Sequence, residues 1–272
     1  VRGAWRADTM ADRSTQRLML LIIAAVFAFL YLPISVLFAL SFNEGGLPTA
    51  WTGFSVKWYG ELLANNDILQ AAFNTLIVAV ASTIVATLLG TLLAIGVEIR
   101  RRNGRFLETI IFAPMIIPDI VLAIALLSFF SMLDVRMGLH TIIVSHVVFN
   151  LAFVCSVVRA RLKTFDWSIV EASADLGATT ITTLRRIVIP VLTPAVVAGA
   201  LLAFTLSVDE FIIAFFTAGA GRESITLPMQ IFAMIRFGVT PEINALSTIV
   251  MTISVIALAL SQRLNRGGIP GQ

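Results

Sequence analysis

Side chains that do chemistry are scarce in this sequence. One cysteine and two histidines among 272 residues exclude an intramolecular disulfide, a thiolate metal cluster and a histidine-rich metal site. His140 and His146 are six positions apart, so they do not share the helix face that metal ligation from one helix requires. Each is expected to hydrogen-bond between helices, with Asn150 one turn beyond His146. Cys155 lies inside an apolar run and reads as a small buried packing residue. No Gly-x4-Gly-Lys-Ser/Thr loop is present to cradle nucleotide phosphates, and there is no His-Glu-x-x-His or Gly-x-Ser-x-Gly. An enzyme has no catalytic constellation to rest on. Charge is scarce too, at 13% of residues against about 25% in soluble domains. The net +3 and pI near 9.6 do not point to nucleic acid, because the basic residues flank apolar runs instead of forming a patch.

What the sequence has in abundance is apolar length, 58% of its residues. The runs are too long for strands or amphipathic core helices. A helix crossing ~30 Å of hydrocarbon needs about 20 residues, with every backbone amide bonded within the segment. Six spans meet that requirement, at roughly 18–42, 70–97, 108–131, 139–158, 191–218 and 242–262. The expected fold is therefore all-α and polytopic, one membrane domain over 18–262 between short tails at 1–17 and 263–272. The first run exceeds a signal-peptide core and lacks an Ala-x-Ala exit, so it is expected to stay as a helix.

Lysine and arginine set the orientation. Fifteen of them fall on the side shared by the two tails, the second-to-third connection (Arg100, Arg101, Arg102, Arg105) and the fourth-to-fifth connection (Arg159, Arg161, Lys163, Arg185, Arg186). Four, Lys57, Arg136, Arg222 and Arg236, fall on the other. Both termini are expected in the cytoplasm. The arginines at 100–105 read as contacts to anionic lipid head groups. Trp51, Trp58 and Tyr59, in the first external loop, suit the membrane interface.

The fourth-to-fifth connection, 159–190, has helical patterning of its own: RARLKTFDWSIVEASADLGATTITTLRRIVIPVLTPAV. Ile169, Ala172 and Leu176, then Ile181, Leu184 and Val188, recur at helical spacing. Gly177 stands between them, where a helix can end in a left-handed residue at little steric cost. The segment reads as helix, turn, helix, stopped by Pro190. Glu171-Ala172-Ser173, three residues, Gly177, nine residues, Ile187, one residue, Ile189-Pro190 resembles the EAA signature of ABC importer permeases, EAA-x3-G-x9-I-x-LP. Ser173 replaces the second alanine and Ile189 the leucine; size and spacing are kept. The resemblance implies a type I, MetI-like permease fold. It also implies that the first short helix is a coupling helix, docking on a separate ATPase that binds the ATP and Mg2+ this chain has no loop to hold.

Polar groups inside a span have the most to explain. Asp209 and Glu210 interrupt LLAFTLSVDEFIIAFF, where a carboxylate at mid-depth costs ~2.5–3.5 kcal/mol on insertion scales. Facing a pathway, they favour a cationic solute. Asp119, in APMIIPDIVLAIA, carries the same preference, although Pro118 before it suits a structural break. Asn74 and Ser128 are candidates for neutral contacts or interhelical packing. The stretch FTLSVDEFIIAFFTAGAGRESITLPMQIFAMIRFGVTPEINALSTIV is similar to the second permease of spermidine/putrescine importers, as is SFNEGG...WTGFSVKWYGELLANNDILQAAFNTL. That resemblance implies an ATPase homodimer, a second homologous permease and an extracytoplasmic solute-binding protein as partners, in a cell (inner) membrane. Permeases for thiamine, an opine or a phosphonate have similar chains and are the alternative. A sensor or scaffold without transport is opposed by the intact EAA spacing.

Overall fold

The computed structural model describes residues 13–45, 50–99, 104–236, 238 and 240–266. Arg2, Arg6, Arg100, Arg101 and Arg102, the tails at 1–12 and 267–272, and the side chains of Arg13, Arg105, Arg263 and Arg266 lie outside that description. The chain divides into two compact units, residues 1–65 with 234–272, and residues 66–233.

The larger unit is built on α3 (Asn66–Ile99), a 34-residue helix that packs along α6 (Leu139–Leu162) and α9 (Ile189–Asp209). The buried face of α3 is made largely of small residues, among them Ala71, Ala79, Ser82, Ala86, Gly90 and Ala94. Small residues let helix backbones approach, which is how helices associate where lipid removes the hydrophobic drive. Gly90 marks the tightest point: a Cβ there would lie 2.9 Å from Val154 Cβ.

The expected span at 108–131 is two helices, α4 (Gly104–Ile116) and α5 (Asp119–Met132), bent by 111° at Ile117–Pro118. Proline disfavours helical geometry at the residue before it and brings no amide to continue the ladder. A straight crossing is thus replaced by an angled pair that points Asp119 into α5's first turn.

After α6 the chain forms α7 (Ser168–Asp175) and α8 (Thr180–Thr183), then one π turn at Leu184–Val188 that runs directly into α9. Pro190 does not stop the helix; Thr180–Asp209 is one helical run of 30 residues. Proline has no amide to give the ladder at that point, and the register shift is taken up by the π turn just before it. In the π turn, the Ile189 N–H bonds to the Leu184 carbonyl, one residue further back than in an α-helix. α9 ends at Asp209, and the span resumes as α10 (Ile212–Thr217). A 3-10 turn at Arg222–Ser224 leads to α11 (Leu227–Ile235).

In the smaller unit α12 (Pro241–Arg266) packs against α1 (Arg13–Leu40) and α2 (Lys57–Ala64). The apolar side chains of α1 from Leu18 to Phe38, Leu37 apart, are exposed, as suits a hydrocarbon-facing helix. Trp58 and Tyr59 turn their polar ends inward: Trp58 Nε1 donates to the Asn43 carbonyl at 2.7 Å, and the Tyr59 hydroxyl lies 2.7 Å from Ser41 Oγ. Trp51 remains exposed.

Among the described residues, four helices are long and apolar enough to cross a membrane, five with the bent pair counted as one span. α12, at the position of the sixth expected span, has 26 residues, about 39 Å of helix.

Candidate functional site

Two places gather the residues singled out from the sequence: the elbow around α7, and the break between α9 and α10.

The elbow is folded by local devices. Asp166 Oδ1 accepts the Ser168 amide at 3.0 Å, and its hydrogen bonds to the Ser168 side chain and then backbone hold the carboxyl below the usual carboxylate range. Gly177 adopts φ +79°. Its N–H donates to the Ala174 carbonyl at 2.8 Å and the Ala178 N–H to the Ser173 carbonyl at 3.1 Å, the paired bonds of a Schellman cap. Thr179 Oγ1 accepts the Thr182 amide to start α8. Ser173, where the EAA signature has alanine, is buried with its hydroxyl 2.9 Å from Thr183 Oγ1. The departure thus fastens α7 to α8.

The two faces of the elbow differ. Trp167, Val170, Leu184, Ile187 and Val188 pack with Ile95, Leu162, Phe165 and Leu192, the feet of α3, α6 and α9. Glu171, Ala172 and Gly177 are exposed, together with Leu176 at 89% and Ile181 at 77%. The helical spacing of Leu176 and Ile181 therefore serves an outward apolar surface, not the chain's own core. Pro190 and the arginines Arg185 and Arg186 are exposed as well.

Beside the elbow, Arg159 at the end of α6 is largely buried and reaches two carboxylates, Glu98 of α3 at 3.7 Å and Glu108 of α4 in a charged hydrogen bond. Counting its charge toward orientation gave no sign of this pin, because the partners lie 61 and 51 residues away.

At the break, Glu210 leaves helical geometry at φ −71°, ψ 118°. Its Oε2 accepts the amides of Ile213 at 2.9 Å and Ala214 at 3.1 Å, the otherwise unpaired donors at the start of α10. His146 Nε2 lies 3.8 Å from the same oxygen, and its Nδ1 is 2.7 Å from Ser207 Oγ, which is 3.0 Å from Ser82 Oγ. His146 is thus the interhelical residue expected, whereas His140 is exposed. Asn150, fully buried one turn on, has no hydrogen-bond partner for either amide atom among the described residues.

Asp209 is exposed and Glu210 buried. Asp119 is half-buried in the first turn of α5, and α5 packs against α10 around Ala123, Phe149 and Ile213. The fold brings these three acids into one neighbourhood. Asn74 lies elsewhere, eight residues before Ser82 on α3, about 12 Å along the axis. It is buried, accepts from Gln70, and donates to the carbonyls of Glu223 at 3.0 Å and Ile225 at 2.9 Å, which holds the turn before α11. Ser128 bonds within its own helix, to the Ile124 carbonyl.

Comparison with known proteins places these features in context. The chain is 42% identical over 248 residues to the spermidine/putrescine transport system permease protein PotC of Escherichia coli K12, covering 91% of this chain and 93% of that one. It is 40% identical over 250 residues to the putrescine transport system permease protein PotI of the same strain, covering 88% and 86%. In fold it matches a chain of a bacterial ABC transporter that imports the acidic polysaccharide alginate, with TM-score 0.75, 16% identity and coverage of 94% and 98%. A chain of the MetNI methionine ABC transporter matches with TM-score 0.61, 18% identity and coverage of 75% and 96%. The architecture is that of ABC importer permeases, all-α and MetI-like, in a multi-pass inner-membrane protein. Residues 86–266 match the family model described as binding-protein-dependent transport system inner membrane component, and with the relatives at 40% identity and above the chain belongs to that family.

Proposed function

We propose that this chain is a permease subunit of an ABC importer for polyamines, spermidine and putrescine, and that the α7 elbow is its coupling helix. The coupling role is carried by one observation: the elbow exposes Glu171, Ala172, Leu176 and Ile181 on one side while its other side is packed on the feet of α3, α6 and α9. A push on the exposed face has a rigid route into the spans. In this reading Ser173, Gly177, Ile187 and Pro190 shape the elbow, and Glu171 pairs with a basic group of the ATPase.

A pair of ATPase subunits binds the ATP and Mg2+. A second homologous permease completes the translocation pathway, and an extracytoplasmic solute-binding protein delivers the cargo. Both termini and the elbow lie in the cytoplasm, as the arginine and lysine distribution favours. ATP binding closes the ATPase pair and opens the pathway outward; hydrolysis returns it inward. Asp209, Glu210 and Asp119 give the pathway the negative character that a flexible polycation needs, and the likeness to PotC and PotI supports that cargo. Asn74, with its amide bonded to the turn at 223–225, acts by holding the pathway's wall.

The test is reconstitution of the permease pair with its ATPase and binding protein in proteoliposomes. ATP-dependent uptake of labelled putrescine or spermidine is expected, and thiamine, an opine or a phosphonate is expected not to enter. Uptake of one of those solutes in place of polyamines overturns the cargo assignment. Labelling of a cysteine at position 171 only from outside the cell overturns the coupling assignment.

A further inference from the structure

We propose that His146 is a positioning residue for transport. It is the middle of a polar clasp, Ser82–Ser207–His146–Glu210, that pins the α9–α10 break and leaves Asp209 as the acid presented to the solute. The proposal rests on the pathway reading above and goes beyond it by giving the two adjacent acids different work.

The clasp joins three separate helices inside a membrane bundle: Ser82 from α3, His146 from α6, and Ser207 with Glu210 at the end of α9. All four residues are buried. Proton directions follow from the donors available. With Ser82 donating to Ser207 and Ser207 donating to His146 Nδ1, the ring's proton sits on Nε2 and faces Glu210 Oε2. Run the other way, Nε2 presents a bare lone pair to a carboxylate oxygen, and two acceptors face each other in a dry interior. The chain of donors therefore points at Glu210, with its last contact an electrostatic one at 3.8 Å.

That oxygen then accepts two amides, those of Ile213 and Ala214, with the imidazole Nε2 at 3.8 Å, beyond hydrogen-bond length. Among the described residues no lysine or arginine lies within salt-bridge distance of it. Glu210 is committed to the protein, and its loss frees both the start of α10 and the link to α6. Asp209, the next residue along, is exposed, with no ion pair or side-chain hydrogen bond among the described residues. A break that slackened or shifted register would rotate Asp209 away from where it now points. The clasp fixes that register.

Two substitutions of His146 separate its two nitrogens. His146→Asn keeps an amide where Nδ1 meets Ser207 and removes the group facing Glu210, whereas His146→Gln reaches the Nε2 position. In the reconstituted transporter, His146→Asn is expected to lower solute turnover about tenfold with KM within about twofold of the parent, and His146→Gln to recover most of that loss. Asp209→Asn is expected to do the reverse, raising KM for the cation while binding-protein-stimulated ATP hydrolysis persists. His146→Asn combined with Glu210→Gln is expected to be no worse than the poorer single variant, because both cut one clasp. Additive losses, equal behaviour of the Asn and Gln variants, or a KM effect at His146 like that at Asp209 overturns the proposal.

Should His146→Asn fail to assemble, Ser82→Ala removes only the outermost donor. It is expected to cut turnover about two- to threefold at unchanged KM, and unchanged turnover overturns the clasp. Polyamine uptake by the parent chain is the control for the cargo. If the parent carries none, the cargo reading fails alone, and the same variants are scored by stimulated ATP hydrolysis, where His146→Asn should fall and His146→Gln recover.

Discussion

Replacing Gly177 isolates the backbone geometry of the elbow from its contacts. The residue stands at φ +79°, and a Cβ added there meets nothing within 4 Å. No clash contributes, so the penalty is conformational: about 1–2 kcal/mol for an L-residue in the left-handed region, less for asparagine and more for a β-branched side chain. That is a factor of roughly 5–30 in the equilibrium between the hooked elbow and a straightened one. The two cap bonds and the Ser173–Thr183 contact are local, so the loss should fall on coupling more than on global stability. The assay is binding-protein-stimulated ATP hydrolysis by the assembled transporter, normalised to permease incorporated, for Gly177→Asn, Gly177→Ala and Gly177→Val. The expected order is glycine, asparagine, alanine, valine, with alanine down about 5- to 30-fold and the thermal midpoint nearly unmoved. Parent-like coupling in both the alanine and the valine variants would refute the reasoning, since a strained left-handed residue would then cost the elbow nothing.

Other positions test the packing. Gly90→Ala puts a methyl 2.9 Å from Val154 Cβ and should cost about 1–3 kcal/mol, read as a lower thermal midpoint in detergent that Val154→Ala in the same chain partly restores. Arg159→Met removes the partner of Glu98 and Glu108; the loss should fall between the ~1 kcal/mol of exposed pairs and the 3–5 kcal/mol of buried ones, and neutralising both acids as well should recover part of it. Asn150→Leu replaces a fully buried amide with no partner among the described residues and should add about 1–3 kcal/mol of stability, read as a higher thermal midpoint in detergent; a lower midpoint would show that the amide is hydrogen-bonded.

What the sequence disclosed and what it hid divide along the length scale of the interactions. The spans at 70–97, 139–158 and 191–218 were legible because a bilayer requires about 20 apolar residues in one run, a condition met locally. Gly177 was legible for the same reason: the left-handed cap is decided by the absence of its own Cβ. Pro118 in the third span suits a break, but the 111° angle is settled by packing. Pro190 reads as a stop, and the π turn that lets the helix run through it is a register shift with no residue signature of its own. The partners of His146 and Arg159 were out of reach because they lie 51 to 64 positions away. A lone histidine or arginine in an apolar sequence announces that a partner exists without naming it. Ser173 reads as a tolerated departure from the signature, and only the fold shows Thr183 beside its hydroxyl.

Because the π turn carries the chain past Pro190 without a stop, residues 180–209 form one helical run of 30 residues, about 45 Å from end to end. A rod of that length is a lever arm. One degree of tilt where α8 meets the elbow displaces the far end by about 0.8 Å, enough to make or break a hydrogen bond. The end that swings is the one bearing Asp209, so strokes too small to reshape the elbow can still regulate what that carboxylate touches.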